Sequence, residues 1–458
     1  MKIKLVNHSI LFFFVPFLIQ AQVSPVVNSW LYNTTKTGSY YAKGNSTTIP
    51  NNILVNCQEV SYSSNWVYIK TKGIPSYPTG PFLDGNPSQS SNQNRIIKLP
   101  LKPVKNSGTP TGTRPGNIGM FINGVALFDY RDGVAWNPNT SSLCGGPGNP
   151  PCPGGMGVEM DWNRDAVVAE RAGFDCSKGH PAMGNYHHHQ NPSTFKLDIK
   201  NVSTICNLYD ADGLYSLDST KHSPLIGFAY DGFPIYGAYG YKNLDGKGDI
   251  VRMKSSYRLR NISTRTTSPT GTSVPAGPNV SNTYPLGYFK EDYEYIAHPN
   301  QTDYLDEHNG RFCVTPEYPN GIYAYFATVD EKWNSTYPYV VGPTYYGNVT
   351  GTTVSAINEA VTIYQFTTGI NDQNDAEFDL KVFPNPSSNI VVIMVQGLVK
   401  TDVQLQLVDM QGKLVQATEI LAGQTMGYFD IQTLYNGVYF IKATSGTNST
   451  QYKINVVR

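Results

Sequence analysis

His187 and His189, in the run Tyr186-His-His-His-Gln-Asn191, carry the clearest chemistry in the sequence. If residues 185–190 are extended, side chains alternate between faces, so these two imidazoles point one way and His188 points the other. A His-x-His pair on a strand offers two nitrogens to a single Zn, Cu or Fe ion without any loop having to close. His180, followed by Pro181, lies near enough in the chain to swing back as a third ligand, and His222 is a fourth candidate. Read as composition alone, the same run also fits a polar turn whose histidines are simply hydrogen-bonded.

Three histidines around Zn would bring the pKa of a bound water towards neutrality and allow a hydrolase or hydratase, and the same set around Cu would suit redox chemistry. Asp231, His308 and Glu307 are the candidates for a general base or for fixing a histidine tautomer. Asp231, followed by Gly232, reads equally as a turn residue. No Ser-His-Asp or Cys-His arrangement is readable. The stretch Asn243-Leu-Asp-Gly-Lys-Gly-Asp249 resembles the start of a calcium loop. Lys247 at its fifth position and Lys254 at its twelfth, where a bidentate Glu belongs, favour a polar turn over calcium.

The elements that must position these residues read as mainly β, a large β-rich domain with long loops and one short helix, followed by a small Ig-like β-sandwich. The composition is rich in Tyr, Gly and Pro and only 15% charged, which favours short strands and loops over helices. Ile118 to Phe128 is two apolar runs joined by Asn123-Gly124, a hairpin signal whose turn asks for positive φ at both central residues. Asn163 is placed to cap a short helix through Ala172, with Gly173 as its stop. Leu225 to Tyr230 reads as a strand, with a turn at Asp231-Gly232. Gly321-Ile-Tyr-Ala-Tyr-Phe326 echoes Gly184-Asn-Tyr-His-His-His189 position for position, with Ala324 and Phe326 where the first copy has His187 and His189.

At 458 residues the chain is long enough for two or three domains. Its formal charge is zero and no basic stripe appears, which argues against nucleic-acid binding. Lys2 and Lys4 precede an apolar run from Ile10 to Ile19, and Ala21 supplies a small residue for cleavage before Gln22, so residues 1–21 read as a signal peptide. That run is too short and too terminal for a membrane span, and no transmembrane segment is expected in the mature chain. Cys57, Cys144, Cys152, Cys176, Cys206 and Cys313 are an even set in an exported chain, which favours disulfides over thiolate ligation. Cys144 and Cys152 bracket a Gly/Pro loop and are the easiest local pair. Residues 22–365 form the large domain, 366–377 a polar linker, and 378–458 the sandwich.

Two parts of the chain resemble known families. Phe383-Pro-Asn-Pro386, Val408-Asp-Met-Gln-Gly-Lys413 and Leu434-Tyr-Asn-Gly-Val-Tyr-Phe-Ile-Lys442 resemble the type A sorting domain of the type IX secretion system of Bacteroidetes. That resemblance implies that residues 378–458 engage the type IX machinery and that the protein is secreted or attached to the cell surface through the outer membrane. Gly179-His-Pro181, Tyr186-His-His-His189, the run His222 to Gly237 and Leu305-Asp-Glu-His-Asn-Gly-Arg311 resemble the YHYH domain family, with His188 replacing the second tyrosine of its naming motif.

Two functions compete at this stage. One is a metal site built from His187, His189 and His180 with His222, serving a hydrolase or redox enzyme with Zn or Cu. The other is a non-catalytic surface module that binds a glycan or another extracellular polymer through its many aromatic side chains, with the histidines as a structural metal clip.

Overall fold

An eight-stranded sheet organises the larger of two units into which the chain divides, Met1–Tyr364 and Gln365–Arg458. The computed structural model describes residues 23–82, 89–155, 157–192, 215, 217–366, 379–396, 402–410, 412–422, 424–445 and 448–457. The expected signal peptide, Cys206 and most of the expected linker lie outside these residues.

The sheet strands are Asn117–Phe121 (β1), Ala126–Phe128 (β2), Gly179–Ala182 (β3), Asn185–His188 (β4), Leu225–Ala229 (β5), Pro234–Tyr236 (β6), Gly310–Cys313 (β7) and Ile322–Phe326 (β8). Across the sheet they run β3-β4-β2-β1-β5-β6-β8-β7. The order reads the same from either edge, so the first four strands and the last four repeat one arrangement. Each half is a hairpin (β1–β2, β5–β6) whose second strand pairs in parallel with a later one (β4, β8), and an antiparallel edge strand (β3, β7) follows.

The two halves meet between β1 and β5 through reciprocal bonds, Ile122 N–H to Ile226 O and Tyr230 N–H to Ile118 O. Glycine is required at this seam, because a Cβ on Gly119 would lie 2.7 Å from Phe228 O and one on Gly227 would lie 2.6 Å from Met120 O. The repeat extends to the edge turns. Asp175 N–H bonds Gly179 O and Asp306 N–H bonds Gly310 O, while Tyr186 and Tyr323 each donate their hydroxyl to the aspartate of their own half. The echo between residues 184–189 and 321–326 is therefore one visible part of a longer internal repeat. In it Arg311, Ala324 and Phe326 stand where the first half has His180, His187 and His189.

Two local expectations are corrected. The Asn123-Gly124 turn has positive φ only at Gly124 (77°), and Asn123 braces it by accepting the Val125 N–H with its side chain. The expected helix from Asn163 is shorter. Asn163–Asp165 pairs as a strand, and the helix Ala166–Ala169 (α1) is capped by Asp165, whose carboxylate accepts the N–H groups of Val167 and Val168. A 3₁₀ turn, Arg171–Gly173, follows, and a second short helix lies at Pro25–Asn28.

The cysteine expectation holds in part. Cys144 and Cys152 form a disulfide and Cys176 is disulfide-bonded, but Cys57 and Cys313 are free. Both free thiols are sealed in the core, where they serve as small apolar side chains.

The second unit is a β-sandwich of a three-stranded and a four-stranded sheet. Val403, Leu405 and Leu407 alternate with exposed residues and face a core with Val391, Ile393, Phe429 and Ile441. This is the period-two pattern of a sheet with one wet face. Among the described residues no helix is long and apolar enough to cross a membrane, a statement that does not extend to β-barrels.

Candidate metal centre

The β3–β4 hairpin places His180 directly opposite His187. Its two-residue tip, Met183-Gly184, has positive φ at both positions (49° and 82°), the turn type that suits the twist of paired strands. That turn fixes the register, and register decides the chemistry, because a one-residue slip would move every imidazole to the other face. His189 continues the same face just past β4. His188 points away, where Tyr77 Oη lies 2.9 Å from its Nε2 and Phe121 packs edge-on.

His180, His187 and His189 each offer a nitrogen, and these three atoms lie within 4.8 Å of one another. His187 Nε2 and His189 Nε2 are 3.0 Å apart, and His180 Nε2 and His189 Nε2 are 3.4 Å apart. The opposite nitrogens of two rings are already committed. His187 Nδ1 faces the Asn185 carbonyl at 2.8 Å, and His189 Nδ1 faces the Asp129 carbonyl. A carbonyl can only accept, so each Nδ1 carries the proton, and in the neutral rings each Nε2 is a bare lone pair. Two lone pairs pointed at one another repel unless a cation or an extra proton stands between them.

The surroundings are dry. Phe128 stacks on His187 with centroids 3.8 Å apart, and Phe174 meets the edge of His180 at 4.9 Å. Asp129, which supplies that carbonyl, is anchored through its carboxylate, which accepts the Arg131 N–H and pairs with the Arg131 guanidinium at 2.7 Å, both side chains buried.

Glu170, at the C-terminal end of α1, was not expected from the sequence. Its Oε2 is 3.3 Å from Nε2 of both His180 and His189. That oxygen is sealed from solvent and has no hydrogen-bond partner, so what it offers the rings is charge. Burial alone would raise the Glu170 carboxyl, but the two imidazoles outweigh burial and hold it well below the usual carboxylate range. Burial also lowers His187, reinforced by the neighbouring rings, whereas for His189 burial is outweighed by Glu170 together with the Asp129 carbonyl and Asp132, and the net shift is upward. A signal was available in the sequence, since Glu170 is the one carboxylate in the run Ala166 to Phe174, which is apolar apart from it and Arg171 and which precedes His180.

His222 does not join the group. Its ring packs on Tyr236 and Tyr241, 6.1 Å from Phe326, and its Nδ1 faces the Ser223 carbonyl. It belongs to the second half of the sheet, and five strand spacings separate β4 from β8, on the order of 20 Å.

The catalytic candidates also fall in the second half. Asp231 closes the β5–β6 turn and accepts from the Tyr325 hydroxyl, the Gly347 N–H and the Phe233 N–H, so its place is structural. His308 bonds Thr344 Oγ1 through Nδ1 and lies 3.7 Å from Glu307, at the far edge beside β7. In the calcium-like loop, Asp245 accepts the Lys247 N–H and pairs with its ammonium, the polar turn that the sequence favoured.

Fold and site together define a β protein of two units whose larger unit carries a buried tris-imidazole cluster at one sheet edge. Comparison with known families gives that class its place. The family described as YHYH protein matches residues 96–339, and the secretion system C-terminal sorting domain matches residues 381–457. The chain belongs to the YHYH family, and its sorting domain marks it as a type IX substrate, secreted and directed to the cell surface. No curated protein matches the chain.

Proposed function

We propose that this exported protein is a metalloprotein that holds one divalent ion, Zn or Cu, on Nε2 of His187 and His189 together with a nitrogen of His180. The observation that carries the reading is the pair of Nε2 lone pairs 3.0 Å apart, each ring's tautomer set by a backbone carbonyl behind it. Neighbouring ligands about 2.0–2.1 Å from one ion stand about 3 Å apart, so the spacing suits a shared ion. Three imidazoles leave a coordination position open, and an ion there would supply either an acidified water or a redox centre. Glu170, whose sealed Oε2 lies 3.3 Å from two of the rings and stays ionised there, is the charge placed to hold a cation or an imidazolium at the cluster, and the open coordination position makes a metal-dependent hydrolase or redox enzyme the reading we favour.

A second reading has its own support. All three imidazoles are under 7% exposed and are flanked by Phe128 and Phe174, which also fits a closed structural clip in a non-catalytic surface or glycan-binding module. Titrating azide into copper-loaded protein separates the two. A new ligand-to-metal absorption band indicates an exchangeable position and supports the enzyme, and an unchanged spectrum supports the clip.

A further inference from the structure

A cavity of about 250 Å³ has Phe174 in its wall and none of the three clustered imidazoles. Its walls begin where the cluster ends, since Arg171 follows Glu170, Gln190 follows His189, and Phe174, which packs on His180 and His189, lines both.

The Arg171 side chain has no ion pair and no hydrogen bond among the described residues. Lys178, 3% exposed, adds a second cation to the same wall. The carboxylates on the wall do not answer Arg171. Asp175 is committed to the N–H groups of Gly80, Ser177 and Gly179 and to the Tyr186 hydroxyl, and Asp330 to the N–H groups of Lys332 and Asn334. Gln190 is the second observation. It is 5% exposed, it lines the cavity, and its amide has no hydrogen-bond partner among the described residues. The amide is not sealed off, so it opens to the cavity, where a ligand hydroxyl can take the place of water. Tyrosines supply the aromatic part of the wall, with Tyr293 and Tyr337 stacked 4.3 Å apart and Tyr257 against Tyr337.

We propose that this cavity binds one hydroxylated organic carboxylate the size of a monosaccharide, a hexuronate unit. A guanidinium with two free N–H edges matches a carboxylate. An amide that both donates and accepts matches a hydroxyl, and tyrosine rings match the apolar face of a sugar ring. The volume admits a single ring. This site is distinct from the imidazole cluster and needs no metal, so it stands or falls apart from the metal reading.

Calorimetric titration of the full chain in the presence of a chelator, with glucuronate, glucose and benzoate, tests it. Glucuronate should bind at least about tenfold more tightly than either glucose, which lacks the charge, or benzoate, which lacks the hydroxyls. Arg171→Gln should weaken glucuronate by about tenfold or more, while Arg171→Lys, which keeps the charge but not the fork, should fall between that variant and the wild type. Gln190→Leu should narrow the preference for glucuronate over benzoate, and it supplies the test should the arginine variant fail to fold. No heat with glucuronate up to about 10 mM, equal binding of glucose or benzoate, or an unchanged affinity in Arg171→Gln and Gln190→Leu overturns the proposal.

Discussion

Nε2 of His187 and Nε2 of His189 stand 3.0 Å apart, and each ring's Nδ1 is turned to a backbone carbonyl. Ordinary side-chain hydrogen bonding does not favour two acceptors facing each other in a dry pocket, whereas one shared ion does. The carbonyls behind the rings come from Asn185 on the same strand and from Asp129 beyond β2. The tautomers are therefore set by the fold before any ligand arrives.

Glu170→Gln keeps the shape of the side chain and removes its charge. With Oε2 3.3 Å from two of the ring nitrogens, the loss should weaken metal binding about 10- to 100-fold. Competition against a chromophoric chelator measures it, and an unchanged affinity would assign Glu170 to the protein surface chemistry of α1 alone.

Asp231 gives a pH signature in stability. Burial raises its carboxyl from 3.8 to about 6, in spite of the donors from Tyr325, Gly347 and Phe233. Between about pH 4 and 6 the folded chain holds a proton that the unfolded chain has released, so this group's contribution falls as pH rises through that window and levels off above it. The shift corresponds to about 3 kcal/mol. Asp132 and Asp165, also raised, act in the same direction, so the test is a difference. Urea unfolding at several pH values should show wild type losing about that much relative to Asp231→Asn between about pH 3 and pH 7; a pH-independent difference contradicts the argument.

Cys57 and Cys313 are buried free thiols, and burial pushes both pKa values up. Neither should react with a thiol reagent in the native protein at pH 8, and both should react after denaturation without reductant. Rapid native labelling of either would mean that its surroundings open.

The pairing of His187 and His189 on one face was legible because strand alternation is strictly local, and His180 followed because a two-residue turn folds it back against His187. Glu170 escaped because its approach depends on α1 and the 3₁₀ turn after it, a path that no periodicity in the sequence encodes. His222 misled for the converse reason. It is near the cluster in the chain, but β2, β1, β5 and β6 lie between β4 and the strand it packs beside, β8. The internal repeat was half visible. The echo of 184–189 in 321–326 showed two similar strands, while the matching turns at Asp175 and Asp306 became recognisable only once their hydrogen bonds were in place. The strand-rich character and the sorting domain needed no long-range information, since composition, alternation and contiguous motifs carry them.

Elemental analysis of the secreted protein, purified without a histidine tag, tests the central claim most directly. The wild type should carry about one equivalent of Zn or Cu per chain, and the double variant His187→Ala/His189→Ala, checked for an unchanged circular dichroism spectrum, should carry none. A wild type without stoichiometric metal after incubation with either ion, or a double variant that retains it, would contradict the account.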